Sequence, residues 1–164
     1  MEIYIEQPIN LIQLNKIGDL EKYLIMHERD YQTALNEIKQ GKKSTHWIWY
    51  ILPIMKGLRE SKTAVYYGIK DIQEATAYLK NDILRAHLIE MSKALLDLGN
   101  IDILSVMGYI DDVKLQQCMT LFNKVEKDMK INCDNIFKKV LEQFFQGKED
   151  NKTLEILEKQ KNVK

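Results

Sequence analysis

Two short stretches of this chain carry side chains that can do chemistry. In the first, Lys43-Ser44-Thr45-His46-Trp47-Ile48-Trp49-Tyr50-Ile51-Leu52-Pro53, an imidazole stands directly before the rings of Trp47, Trp49 and Tyr50. A neutral imidazole can serve as acid, base or ligand donor near pH 7. Each ring offers a π-face on which a base or another flat ligand can stack. In the second, Asp111-Asp112-Val113-Lys114, two adjacent carboxylates precede a lysine. A helix start uses one capping side chain, which leaves the other carboxylate without a structural task. Asp111 lies three residues before Lys114 and can face it on a helix. A spare carboxylate, a histidine and a lysine suffice to hold a polar ligand, or to hydrolyse a glycosidic or phosphate bond with Asp112 and His46 as the acid–base groups. Lys43 (with Lys42 beside it) and Lys114 offer positive charge to a phosphate at a helix start. Thr120 adds a hydroxyl further along.

Each feature also has a plain structural reading. The aromatic rings suit a core, His46 suits a cap or the core, and the paired acids suit a solvated helix start. Other chemistries have no support in the sequence. It contains no glycine-rich phosphate loop, nucleophile elbow or Cys-His signature. His27 and His46 are not at metal-ligand spacing, so neither a metal nor a cofactor is expected. His87, four residues before Met91 on an apolar helix side, reads as structural. Cys118 and Cys133 form no CxxC pair and lack a basic cluster, so both read as ordinary free thiols of a reducing compartment.

These groups must be positioned by a chain of 164 residues, 45% hydrophobic and 29% charged, which suits one folded domain with a sizeable core. Lys plus Arg and Asp plus Glu both number 24. Such a balance gives no broad positive field, so nucleic acid is not an expected partner. No apolar run approaches the ~20 residues that cross a bilayer. The opening Met1-Glu2-Ile3-Tyr4-Ile5-Glu6 has no secretory pattern, so a cytoplasmic, membrane-free location is expected.

The spacing of apolar residues is helical from residue 19 onward, which predicts an all-α fold: a single compact orthogonal bundle of about eight or nine short-to-medium helices over 19–160. Residues 1–18 read as an extension, packed on the domain or fraying from it, with a short strand pattern ended by Pro8. Asp19 is expected to cap a first helix and Asp30 a second, with Gly41 as its stop. Ser44 or Thr45 is expected to cap a short aromatic helix ended by Pro53. Ser61, the box Asp71-Ile72-Gln73-Glu74, Asn81 or Asp82, Asp111 or Asp112, Asp134 and Asp150 are the further expected starts. Gly99, Gly108 and Gly147 are expected stops, the second closing a short helix around Ile101–Met107.

Several motifs in this order resemble a known family. They are Tyr31-xx-Ala34-Leu35-x-Glu37 with Gly41-Lys42-Lys43, then Thr45 to Pro53, Gly57-Leu58, Tyr67-Gly68-Ile69 and Glu74-Ala75-x-Ala77-Tyr78-Leu79. Gly108 to Leu115, Cys118 to Phe122, Phe137-xx-Val140-Leu141-xx-Phe144 and Asp150-xx-Thr153-Leu154 complete the set. Over about residues 19–157 the chain resembles the bacterial family called domain of unknown function 1810, whose members are sometimes labelled calpastatin. The resemblance implies a small helical domain of unassigned biochemistry. Calpain inhibition suits a disordered repeat protein, and this composition is neither disordered nor repetitive.

The chain departs from the family where Leu52-Pro53-Ile54 replaces Phe-Pro-Gln, Ile110 replaces Pro before Asp111-Asp112, Met26-His27 replaces Ala-Gln, and Gln117-Cys118 replaces Ser-Ser. If those groups line a site, the ligand here differs. The expected function is binding of a small polar ligand, such as a nucleotide or an ADP-ribose-like metabolite, through Lys43, His46, Trp49, Tyr50, Asp111, Asp112, Lys114 and Thr120. The alternatives are a hydrolase acting on such a metabolite and a protein-interaction module anchored by an exposed Trp49.

Overall fold

The computed structural model describes residues 20–162. The strand pattern in 1–18 and the Asp19 cap lie outside the described residues. Nine α-helices and no sheet occur among the described residues: α1 (Glu21–Lys39), α2 (Ile48–Ile51), α3 (Lys62–Tyr67), α4 (Ile72–Lys80), α5 (Asp82–Leu96), α6 (Ile103–Met107), α7 (Asp111–Asp128), α8 (Ile136–Phe145) and α9 (Asn151–Asn162). The all-α expectation therefore holds. No helix among them is long and apolar enough to cross a membrane.

α7 is the axis of the packing. Leu115, Cys118, Met119, Leu121, Phe122 and Val125 are all buried on it, and α4, α6, α8 and α9 lie against it. α1 packs on α2 and α5, and α5 reaches α4 and α8. One apolar core results, in which Trp47, Tyr23, Tyr78, Phe122 and Phe137 are the largest enclosed side chains.

Caps account for several boundaries. Ser61 accepts from Ala64 N–H, Asn81 from Ile83 and Leu84 N–H, and Asp150 from both Thr153 N–H and its hydroxyl. Asp71 accepts from Glu74 N–H, while the Glu74 carboxylate returns to Lys70 N–H, one residue earlier than a standard box.

Asp30 does not start a helix. Residues 21–39 contain neither glycine nor proline, and Tyr23, His27, Tyr31, Ala34, Leu35 and Ile38 form one unbroken buried stripe. The Asp30 carboxylate instead takes the Arg29 guanidinium and the Tyr50 hydroxyl. Asp134 does not cap either. It and Asn135 both adopt left-handed backbone (φ 56°), and the Glu126 carboxylate accepts from Cys133 and Asn135 N–H in its place. Val65 on α3 is exposed, while its neighbour Ala64 is buried.

The connection after α2 is pinned by a lone parallel bridge between Met55 and Ile69. Gly68 makes this possible, since a Cβ there would sit 2.8 Å from both the Ala64 carbonyl oxygen and the Lys56 Cα. Both obstacles are backbone and cannot step aside. Gly68→Ala is accordingly expected to lower stability by about 1–3 kcal/mol, read as a drop in the urea midpoint. An unchanged midpoint would show that the bridge is not held by close approach.

Candidate functional site

The site is assembled from α1 inward. Glu37, on the last turn of α1, organises the turn that carries His46. Its Oε1 accepts from Ser44 N–H (2.7 Å), Thr45 N–H (3.0 Å) and Trp47 Nε1–H (2.9 Å), and its Oε2 accepts from the Thr45 hydroxyl (2.7 Å). Burial works to raise the Glu37 pKa, but the donors from Thr45, Ser44 and Trp47 overcome it and hold the carboxyl at about 2. Ser44 and Thr45 therefore do not cap α2; Trp47 is its N-cap, without a side-chain bond. Trp47 itself is 1% exposed, which places it in the core.

Lys43 joins this turn to the α6–α7 corner. Its backbone N–H donates to the Val106 carbonyl (2.8 Å). Its ammonium lies 2.7 Å from Asp111 Oδ2 and donates to the Thr45 carbonyl (2.5 Å). Asp111 Oδ1 is 3.1 Å from the Lys114 ammonium, which also sits 3.7 Å from the centre of the Trp49 ring. One carboxylate thus holds two ammoniums, on side chains only 5% and 9% exposed. The aromatic segment and the start of α7 meet here, through two pairs that are 68 (Lys43–Asp111) and 65 (Trp49–Lys114) residues apart along the chain.

Neither aspartate caps α7. Ile110 is the N-cap, with φ 78°, so both acids fall in the first helical turn. A β-branched residue in left-handed backbone is strained, and such strain persists only where its surroundings enforce it. Gly108, with φ 85°, bends the chain two residues earlier. Asp112 is partly exposed and makes no side-chain hydrogen bond or ion pair among the described residues; its Oδ1 is enclosed without a partner. His46 is exposed, and its ring makes no hydrogen bond among the described residues.

The remaining expected residues serve the frame. Tyr50 is 5% exposed and its hydroxyl is held by Asp30. Thr120 is fully enclosed; its hydroxyl donates to Gln116 O (2.8 Å) and accepts from Asp150 N–H (2.9 Å), which fixes the start of α9. Trp49 is half-buried against the core under Lys114, so it does not offer the exposed anchor that an interaction module needs. Cys118 and Cys133 are buried free thiols, and burial raises both pKa values, Cys133 to about 11.

A second polar constellation on the other side of α2 has little local signal in the sequence. His27 Nε2 lies 2.8 Å from the Tyr50 carbonyl oxygen and 3.1 Å from the Tyr78 hydroxyl. His27 Nδ1 lies 2.9 Å from His87 Nδ1. A carbonyl only accepts, so His27 carries its proton on Nε2 and accepts from His87 Nδ1–H. Tyr31 stacks on His87 at 3.5 Å between ring centres, and its hydroxyl is bonded to Glu90. The four-residue spacing of His27 and Tyr31 was the available signal; the partner His87 is 60 residues away.

Two outcomes follow. Burial first, opposed by the Tyr50 carbonyl, lowers the His27 pKa from 6.5 to about 4. The unfolded chain therefore binds more protons between those values, so stability is full above about pH 6.5 and falls as pH drops toward 4, by about 3 kcal/mol from this group. His27→Gln should flatten that part of a denaturation–pH profile; an unaltered slope would assign the acid sensitivity elsewhere. Asp111→Asn should lower stability by about 3 kcal/mol, because it leaves two covered ammoniums without a counter-charge. A denaturant midpoint equal to that of the unmodified chain would show that the lysines find water instead.

Known proteins place the chain in context. The profile of the family described as "Protein of unknown function (DUF1810)" matches residues 17–157. The crystal structure of the conserved hypothetical protein Rv1873 from Mycobacterium tuberculosis has the same fold, with a TM-score of 0.78 and 32% identity over 85% of this chain and 96% of that one. None of the curated proteins matches. The helical order, the residues matched and the shared fold make this chain a member of the DUF1810 family.

Proposed function

We propose that the chain binds a small polar ligand, of nucleotide or ADP-ribose-like chemistry, where the 43–49 turn meets the start of α7. His46, Trp49 and Asp112 supply the contacts. Lys43, Asp111 and Lys114 frame them, and Tyr50 and Thr120 hold the frame from inside. The observation that carries this reading is Asp112. Beside an Asp111 saturated by two lysines, it keeps a carboxylate with no side-chain partner among the described residues and one oxygen enclosed. Enclosing an unpaired charged acceptor costs stability, so its presence calls for a donor from elsewhere, and vicinal hydroxyls or an amine of a ligand are such donors. A hydrolase reading rests on the same two uncommitted groups, with His46 and Asp112 as its acid–base groups.

The test is a panel of nucleotides, ADP-ribose and ribose phosphates, read by thermal shift and by turnover. Asp112→Asn is expected to melt at or slightly above the unmodified temperature and to lose at least tenfold in affinity. Turnover abolished by Asp112→Asn and by His46→Ala, with binding kept, selects the hydrolase. An Asp112→Asn protein that binds like the original removes Asp112 from the site, and a silent panel refutes the ligand class.

A further inference from the structure

A separate concavity opens among the described residues on the far end of α7. It lies between Lys70–Gln73 at the start of α4, the last turns of α7, and α9, and its volume is about 460 Å³. That is within the range of small-molecule sites, roughly 300–1,000 Å³. Ile72 and Leu157 form its apolar wall, and the aliphatic stems of Lys70, Lys124 and Lys161 extend it.

The rim carries four lysines against two aspartates. Asp71 is occupied as the α4 cap, and Asp128 lies 3.5 Å from Lys124. Lys70, Lys159 and Lys161 are exposed and form no ion pair among the described residues. Gln160 Nε2 donates to the Lys70 carbonyl (2.7 Å) and links α9 to the α4 turn. Neither the aromatic segment nor the acids at the start of α7 reach this cleft.

We infer that this cleft binds a free amphiphilic anion, a medium-length aliphatic chain ending in a carboxylate, since its volume falls in the range of small-molecule sites. The chain lies along Ile72 and Leu157, and the head group meets Lys70 and Lys161. Neutral and cationic amphiphiles lack the complement to the uncommitted lysines, and a short acid lacks the apolar body. Both parts of the ligand are needed because exposed lysines alone give weak, screened attraction, while a partly open apolar wall alone does not select a head group.

The experiment uses the full chain and sodium decanoate below its micelle-forming concentration, followed by backbone amide chemical shifts and calorimetry. Saturable binding is expected, with the shifts confined to 70–73, 124–128 and 157–161. Lys70→Glu combined with Lys161→Glu, both surface changes that leave the core intact, should weaken it at least tenfold. Decanol and acetate should bind at least tenfold more weakly than decanoate. The inference is overturned by an absence of saturable shifts, by shifts outside the cleft, or by equal binding of decanoate, decanol and decyltrimethylammonium. It is equally overturned if the double charge reversal changes nothing while circular dichroism shows an intact fold. The cleft shares no residue with the proposed polar-ligand site, so either can fail alone.

Discussion

The aromatic segment forms only one helical turn, and a helix so short cannot stabilise itself. Its place depends on two side chains of α1. Glu37 gathers four donors from residues 44–47, and His27 accepts the task of satisfying the Tyr50 carbonyl at the other end. Between them, Trp47, Ile48 and Ile51 are pressed into the core. A long helix, stiff and continuous because its apolar stripe is unbroken, thus acts as the splint for a turn that carries the exposed histidine.

The opposite wall of the site uses a different device. Covered lysines are costly unless paired, and here one aspartate pairs two of them while the indole faces of Trp47 and Trp49 cover the ammoniums, at 5.1 and 3.7 Å. The neighbouring Asp112 receives none of this support. The strained Ile110 backbone sets the direction in which both acids leave the corner, so the contrast between a saturated and an unsaturated carboxylate is built into the first turn of α7.

Much of the architecture was legible because it rests on local chemistry. Ser61, Asp71, Asn81 and Asp150 are caps in the structure as their positions suggested, since a cap needs only a side-chain oxygen and the next three residues. Asp30 and Asp134 carried the same signal and do not cap. Whether an aspartate starts a helix depends on whether its carboxylate is claimed, and at Asp30 the claimants are the adjacent Arg29 and the distant Tyr50. At residue 134 the carboxylate of Glu126, eight positions earlier, serves the turn instead.

By itself, the sequence determined the all-α class and most helix spans, because periodicity and composition act within a few residues. It also singled out Lys43, His46, Asp111, Asp112 and Lys114 as chemically capable. Only the tertiary structure decided that Asp111 is the saturated carboxylate while Asp112 has no side-chain partner among the described residues, that Thr120 serves α9, and that His27 and His87 are hydrogen-bonded. Each of those outcomes turns on a partner supplied by another helix. A hydrogen bond between side chains 60 residues apart leaves no period in the chain, so it exists only once packing has brought its donor and acceptor together.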